Sequence, residues 1–464
     1  MWVVAVGSAT LWPASAWAAS VVDAPVGTAP SLPWGLPFAG LLLTIAILPT
    51  LAPRLWHHYV GLFAAAWSLA LLAPLAVLHG PELAWHEFWH AILVEYLPFV
   101  SLLLALFTAG GGILLEGGPW GTPAGNTALL ALGTALAGLM GTTGVAMVLI
   151  HPLLRANAHR TRRVHLVVFF IVLAANAGGA TTPLGDPPLY LGFLNGVPFG
   201  WPLRNLSVPL LLLAGPLLGA FWLLDRHLAR GEPAAPPARK LRVQGWRNAL
   251  LVLLVVAAVL GQGVWHPGEV ALLGQQIGLE RLLGILLFAA IAAASVAITP
   301  PALRERNLFS WAPMTEVAVL FAAIFLTIGP VLAMLAAGHD GPLGPLLALT
   351  TDAAGRPSPL AYFWLAGLLS AFLDNAPTYL VFFQLAGNDP ISLTGELSPV
   401  LRALSAGAVF FGALTYIGNA PNMMLRSIAA RRGVRMPGFF GYMAWSCALL
   451  LLPFCLLTVL YFLP

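Results

Sequence analysis

The sequence predicts an all-α, polytopic membrane protein: about ten transmembrane helices plus two re-entrant hairpins, in an inverted-topology repeat with two broken helices. Three observations carry this. Hydrophobic residues make up 59% of the 464 and charged residues only 8%, against about 25% charged in soluble domains, too few to cover a water-facing surface. Apolar segments long enough to cross ~30 Å of hydrocarbon recur along the chain. Glycine (47) and proline (39) interrupt several of them, and in hydrocarbon a broken backbone persists only where protein or a watery cavity satisfies it. The same numbers exclude disorder. The 21 basic residues, all arginine except Lys240, lie in short clusters between apolar runs, which excludes a nucleic-acid surface. Cys447 and Cys455 sit in an apolar stretch and form no disulfide or zinc framework.

Taken in order, residues 1–19 read as a signal sequence, an apolar run ending in the cleavage pattern Ala16-Trp17-Ala18 without a basic leader. A polar tether, 21–33, follows. Spans are expected at 35–53, 59–79, 91–115, 165–197, 205–225, 247–265, 281–299, 313–337, 399–425 and 438–462. Regions 126–154 and 359–387 are interrupted at their centres and read as hairpins. The polar stretch 226–247 divides a first half, 20–225, from a second, 248–464. With the mature N-terminus outside and each hairpin returning to its own face, 17 of the 21 basic residues fall inside. Only Arg204, Arg281, Arg356 and Arg402 fall outside. A full span through either hairpin would scatter the clusters across both sides.

Each half thus holds a hairpin followed by a span broken in its middle. The hairpin tips are Gly141-Thr142-Thr143-Gly144 and Asp374-Asn375-Ala376-Pro377-Thr378. The breaks run from Asn176 to Pro187-Pro188 and from Gly418 to Asn422. Facing opposite sides, the two units form an inverted repeat, an architecture of secondary transporters whose site lies where the broken elements meet. Unwound backbone there leaves carbonyls free for a cation and amides free for an anion.

The stretches NAGGATTPLGDPP, FLDNAPT and IGNAPN resemble the ion transporter superfamily (citrate transporter-like), most closely its NhaD-type bacterial sodium/proton antiporters. The resemblance covers nearly everything after residue 35. It implies two inverted repeats, a homodimer in a bacterial inner membrane, and ion-coupled transport of Na+ and H+ with no cofactor. It places Asn176, Thr181, Thr182 and Asp186 in the first unwound segment, Asp374, Asn375 and Thr378 at the second tip, and Asn419 and Asn422 in the second unwound segment. Two departures stand out. Dicarboxylate-type members carry Ser-Asn-Thr at both tips, where this chain has Thr142-Thr143 and Asp374-Asn375. Pro187-Pro188 replace the threonines usual after Gly-Asp, so Thr181 and Thr182 are candidates for the missing ligands.

Asp186 and Asp374 are flanked by apolar sequence on both sides, whereas most of the seventeen acids fall in loops or at interfaces. A carboxylate at membrane depth costs several kcal/mol, so the default reading is functional; the alternative is a cap on a half-helix. Burial favours the protonated form and a bound sodium ion the ionised one, which gives exclusive occupancy by one or the other. Both acids would repel citrate or a dicarboxylate, and no arginine lies in either broken element to hold an anion. A sodium-coupled carboxylate carrier or an arsenite carrier of the same fold is the alternative. Glu316 either lines the ion path or sits at the cytoplasmic interface, Glu95 reads as interfacial, and His151, just past the first hairpin, reads as interfacial or as a pH sensor.

A reading from another class starts from His86-Glu87-Phe88-Trp89-His90, which fits H-E-x-x-H and would make an intramembrane zinc protease, with Asp374 a distant third ligand. Asp186 with Asp374 faintly suggests an aspartyl protease instead. The motif is short and lies in a Trp- and His-rich interfacial stretch where chance matches are easy, away from the four breaks.

Overall fold

The computed structural model describes residues 30–233, 239–352 and 354–463; the expected signal sequence lies outside them. Helices α1 (Leu36–Leu51) and α2 (Pro53–His79) pair first. α3 (Pro81–His90) passes through a π-helical turn (Ala91–Tyr96) into α4 (Leu97–Gly111). Strand β1 (Leu114–Gly118) leads to α5 (Pro123–Met140) and α6 (Thr142–Ala156), which form hairpin 1. α7 (Val164–Leu173) and α8 (Pro187–Leu194) are two halves of one interrupted segment, and α9 (Trp201–Leu228) closes the first half.

The second half opens with β2 (Arg239–Gln244) and α10 (Trp246–Gln262). A ribbon of β3 (Glu269–Leu272) and β4 (Gln275–Gly278) precedes α11 (Leu279–Ile298), α12 (Pro301–Arg306), α13 (Ala312–Ala336) and α14 (Gly344–Thr350). Hairpin 2 is α15 (Pro359–Leu373) with α16 (Asn375–Leu385). After α17 (Pro390–Thr394), a second interrupted segment comprises α18 (Ser398–Phe411) and α19 (Ala420–Arg431), and α20 (Phe439–Leu457) ends the bundle. Among the described residues, nine helices are long and apolar enough to cross a membrane. This is an all-α, multi-pass architecture.

Two expectations shift. The span expected at 91–115 runs instead as one stretch from Pro81 to Gly111, because Pro81 starts the helix and Gly110, Gly111 and Gly112 end it. The H-E-x-x-H residues are therefore the first turns of a long helix. The polar linker also contains a strand: β2 pairs antiparallel with β1, Leu115 opposite Val243, and so fastens the linker to the entrance of hairpin 1.

Burial separates centre from periphery. In Val164–Thr181 89% of the residues are buried, against 11% in an 18-residue stretch of His58–His79. An apolar helix covered on every side lies in the middle of the bundle, and that is where the chain is interrupted. In both hairpins a single residue separates the two helices, Gly141 (φ +76°) in the first and Asp374 (φ +77°) in the second.

The two units correspond residue for residue. Asp186 and Asn419 are 233 positions apart, and the same offset relates Gly138 to Ala371, Gly141 to Asp374, Thr142 to Asn375, Gly179 to Gly412, Thr182 to Thr415 and Gly185 to Gly418. The contacts repeat as well. The Thr182 hydroxyl donates to the Gly138 carbonyl and accepts from Leu184 N (3.1 Å); that of Thr415 donates to Ala371 and accepts from Ile417 N (3.2 Å). Each break is thus sewn to the neck of its own hairpin, one turn before the tip.

Candidate functional site

Asp186 and Asn419 each occupy the position just before a half-helix, with extended backbone and with a proline in the first helical turn that follows. Such residues ordinarily cap the helix with their side chains. Neither does so here, and both side chains turn inward to each other. The Asp186 carboxylate, 2% exposed, accepts from Thr142 Oγ1 (3.1 Å) and Asn419 Nδ2 (3.0 Å) on one oxygen, and from Asn375 Nδ2 (2.5 Å) on the other. Both hairpin tips and both breaks therefore converge on one carboxylate, and every group holding it is neutral.

A second layer fixes those donors. Asn419 Nδ2 also donates to Asn176 Oδ1 (3.0 Å), and Asn176 Nδ2 donates to Asn422 Oδ1 (2.8 Å) and the Ile171 carbonyl (2.8 Å). Asn422 in turn donates to the carbonyls of Gly412 and Thr415 (both 2.8 Å). The asparagines occupy the unwound backbone and satisfy carbonyls that the interrupted helices leave free. Asn375 Oδ1 is buried without a partner.

A cavity of about 60 Å³ opens beside Asp186. Thr142, Thr143, Asp186, Asp374 and Asn419 supply its polar lining, and the rest is apolar, with Phe107, Met140, Tyr190, Met314 and Phe321 among its walls. No lysine, arginine or histidine is among the lining residues. At ~10–15 Å³ per water on this measure, it holds roughly four to six waters or an ion with part of its shell.

Asp374 plays a different part from Asp186. Its carboxylate caps α16 through a long bond from Ala376 N (3.5 Å), while Thr378 Oγ1 donates to its carbonyl (2.9 Å). Its backbone (φ +77°, ψ 147°) lies in a region that is nearly glycine-only, and its counterpart at the other tip is Gly141. Holding an aspartate there costs about 1–3 kcal/mol, a strain that glycine would remove. Asp374→Gly is expected to leave melting temperature equal or raised yet to cut transport sharply, with Asp374→Asn cutting it too. Wild-type transport rates in Asp374→Gly would reduce this acid to a helix cap.

The remaining expected residues are dispersed. Thr181 packs its hydroxyl against Gly138, and Thr182 serves the stitch described above, so both lie at the neck of hairpin 1. Glu316 accepts from Trp56 Nε1 (2.6 Å), on a face of α13 that does not line the cavity. His151 is fully buried, far along α6 from the tip. The zinc reading fails on geometry: among the described residues no group of three His, Cys, Asp or Glu side chains could hold a metal ion. His86 and His90 stack on one helix face, and Asp374 belongs to the central cavity.

Among the described residues two buried acids, Asp225 and Glu280, escaped the sequence reading, and Asp225 anchors a network. Asp225, 0% exposed, accepts from Arg160 Nη1 (2.6 Å) and Asn126 Nδ2 (2.9 Å) and lies 2.8 Å from His165 Nε2. Asn157 completes the network by donating to Asn126 Oδ1 (2.8 Å). The start and end of hairpin 1, the start of α7 and the end of α9 are tied at this point. Asp225 sits beside Arg226 and His227 at the end of a span, which reads as an ordinary interface.

Residues 27–462 match a family described as "Putative citrate transport". An uncharacterized transporter of Mycobacterium tuberculosis is 26% identical over 326 residues, 66% of this chain and 69% of its own. The 46 kDa membrane protein of Mycobacterium leprae is 26% identical over 281 residues (56% and 59%), and an uncharacterized transporter of Synechocystis is 23% identical over 388 (78% and 79%).

Proposed function

Because the chain belongs to this citrate-transport family, and is a multi-pass membrane transporter and not an enzyme, we propose that it exchanges sodium ions for protons across a bacterial inner membrane. Asp186 takes a proton or a sodium ion in turn, with Thr142, Thr143, Asn375 and Asn419 around it and Asp374 as a second acid in the same cavity. The observation that carries this reading is a buried carboxylate in one broken element, gripped by the other three through neutral partners alone. Without a fixed positive partner, a carboxylate at this depth is stable only when a mobile cation or proton joins it. The partnerless Asn375 Oδ1 is a further oxygen on a side chain bonded to Asp186. Opposite orientations of the two units, with the arginine-rich loops in the cytoplasm, would let the hairpins and breaks move against the remaining helices.

The family's description favours a second reading, sodium-coupled carboxylate uptake. The cavity's size, its lack of basic residues and its two acids weigh against it, since a citrate ion is both too large for this conformation and repelled. Proteoliposomes carrying an imposed pH gradient and a pH-sensitive dye separate the two. Sodium or lithium added outside is expected to dissipate the gradient. No response to either ion, together with accumulation of labelled citrate, would overturn antiport in favour of carboxylate uptake.

A further inference from the structure

His151 lies nine positions beyond Thr142 on α6, about 13.5 Å along the axis at 1.5 Å per residue, and belongs to neither the Asp186 cluster nor the Asp225 network. It is 0% exposed, and neither ring nitrogen has a well-aligned partner, the Asn307 backbone being the polar group within reach. Arg155 follows one turn further along the same face of α6, and α6 packs against α19, whose C-terminal cap is Arg432. Arg155 Nη2 donates to the Leu115 carbonyl (2.6 Å), and its charge also faces Arg432, Arg306 and Glu116. Arg163 donates to the carbonyls of Arg432 (3.3 Å) and Gly433 (3.1 Å), which holds that corner of the chain in place.

Polar atoms without partners gather here. Arg432 Nε, Arg163 Nε and Asn307 Oδ1 are buried and unbonded, and both nitrogens of His151 lack a well-aligned partner. Among the described residues none of Arg155, Arg163 and Arg432 has a carboxylate within 4.0 Å; the nearby Glu116 pairs with Arg306, and Asp225 with Arg160. Buried donors of this kind are nearly always satisfied, and the half-buried Arg155, Arg163 and Arg432 crowd positive charge at this corner that an anion would neutralise.

We propose that His151, Arg155 and Arg432 form a binding site for one oxyanion group, a phosphate or a carboxylate, where the end of hairpin 1 meets the end of α19. A guanidinium presents paired N–H donors that match such a group, and the imidazole adds a third donor from the buried side. The site joins one element from each repeated unit, so an occupied site ties the two units together. It is independent of which ion Asp186 carries. The group arrives either on a dissolved anion or on a lipid headgroup.

Purified, delipidated full-length protein tests this with two probes: inorganic phosphate by calorimetric titration, and phosphatidylglycerol against phosphatidylcholine by native mass spectrometry. One probe is expected to bind wild type and Asp186→Asn alike, and about tenfold more weakly in Arg155→Gln and Arg432→Gln. Phosphate binding identifies a dissolved anion, and selective phosphatidylglycerol retention identifies a lipid. His151→Gln, which keeps a donor of similar size, gives the same comparison should an arginine variant not fold. Absence of binding to wild type by both probes, or equal binding to wild type and the variants, overturns the proposal.

Discussion

Replacing Asp186 by asparagine is expected to abolish ion exchange while leaving the protein folded. The carboxylate accepts from Thr142, Asn375 and Asn419, three donors converging on two oxygens. An asparagine keeps the shape and one acceptor, and its new N–H₂ needs an acceptor where Asn375 Nδ2 now sits. Rotation of the Asn375 amide supplies it, because Asn375 Oδ1 is otherwise unused. The local network can therefore close around the amide, and melting temperature in detergent should move little. What is lost is the negative charge where the four interrupted elements meet, which leaves Asp374, the helix-capping acid, as the one carboxylate among the described residues lining the cavity. Sodium-driven dissipation of a pH gradient should fall to that of empty liposomes. A folded Asp186→Asn protein that exchanges ions at the wild-type rate would remove Asp186 from the mechanism.

The second large effect is structural. Gly185→Ala is expected to destabilise the protein severely, with sharp loss of yield and a lowered melting temperature. A Cβ at this position would lie 2.1 Å from the Gly179 carbonyl oxygen and 2.7 Å from its carbon, backbone atoms that cannot rotate away. Overpacking in a tight interior costs about 1–3 kcal/mol, occasionally more. The damage also reaches the site, since the Gly185 carbonyl accepts from Thr142 N (2.9 Å) and adjoins Asp186. Gly219→Ala, on α9 with nothing within 4 Å of the new carbon, is the matched control. It should be neutral or stabilising by up to about 1 kcal/mol, as alanine favours the helix. Equal melting temperatures for the two variants would mean the break is far looser than its contacts imply.

The four interruptions were legible because Gly, Pro and Asn inside apolar runs have few physical readings at membrane depth. Asp186 and Asp374 stood out by the same logic, as acids far along the chain from any other charged residue. What could not be read was pairing across distance. Asp225 lies next to Arg226, yet its partners are Asn126, Arg160 and His165, 60 to 99 positions away. The strand Arg239–Gln244 looks like a basic linker until Leu114–Gly118 offers it an edge. The divided duties of the two acids were equally hidden. Both precede half-helices, and only geometry distinguishes the one that caps from the one turned into the cluster.

The register shared by the two repeated units has an energetic implication. Two identical halves, exchanging roles as the carrier turns over, would leave its two end states equal in free energy. Here the position of Asp186 is held in the other unit by the amide Asn419, and that of Asp374 by the glycine Gly141. On the exchange proposed above, that imbalance lifts the degeneracy and gives an empty carrier a resting side, which the double variant Asp186→Asn/Asn419→Asp is expected to change.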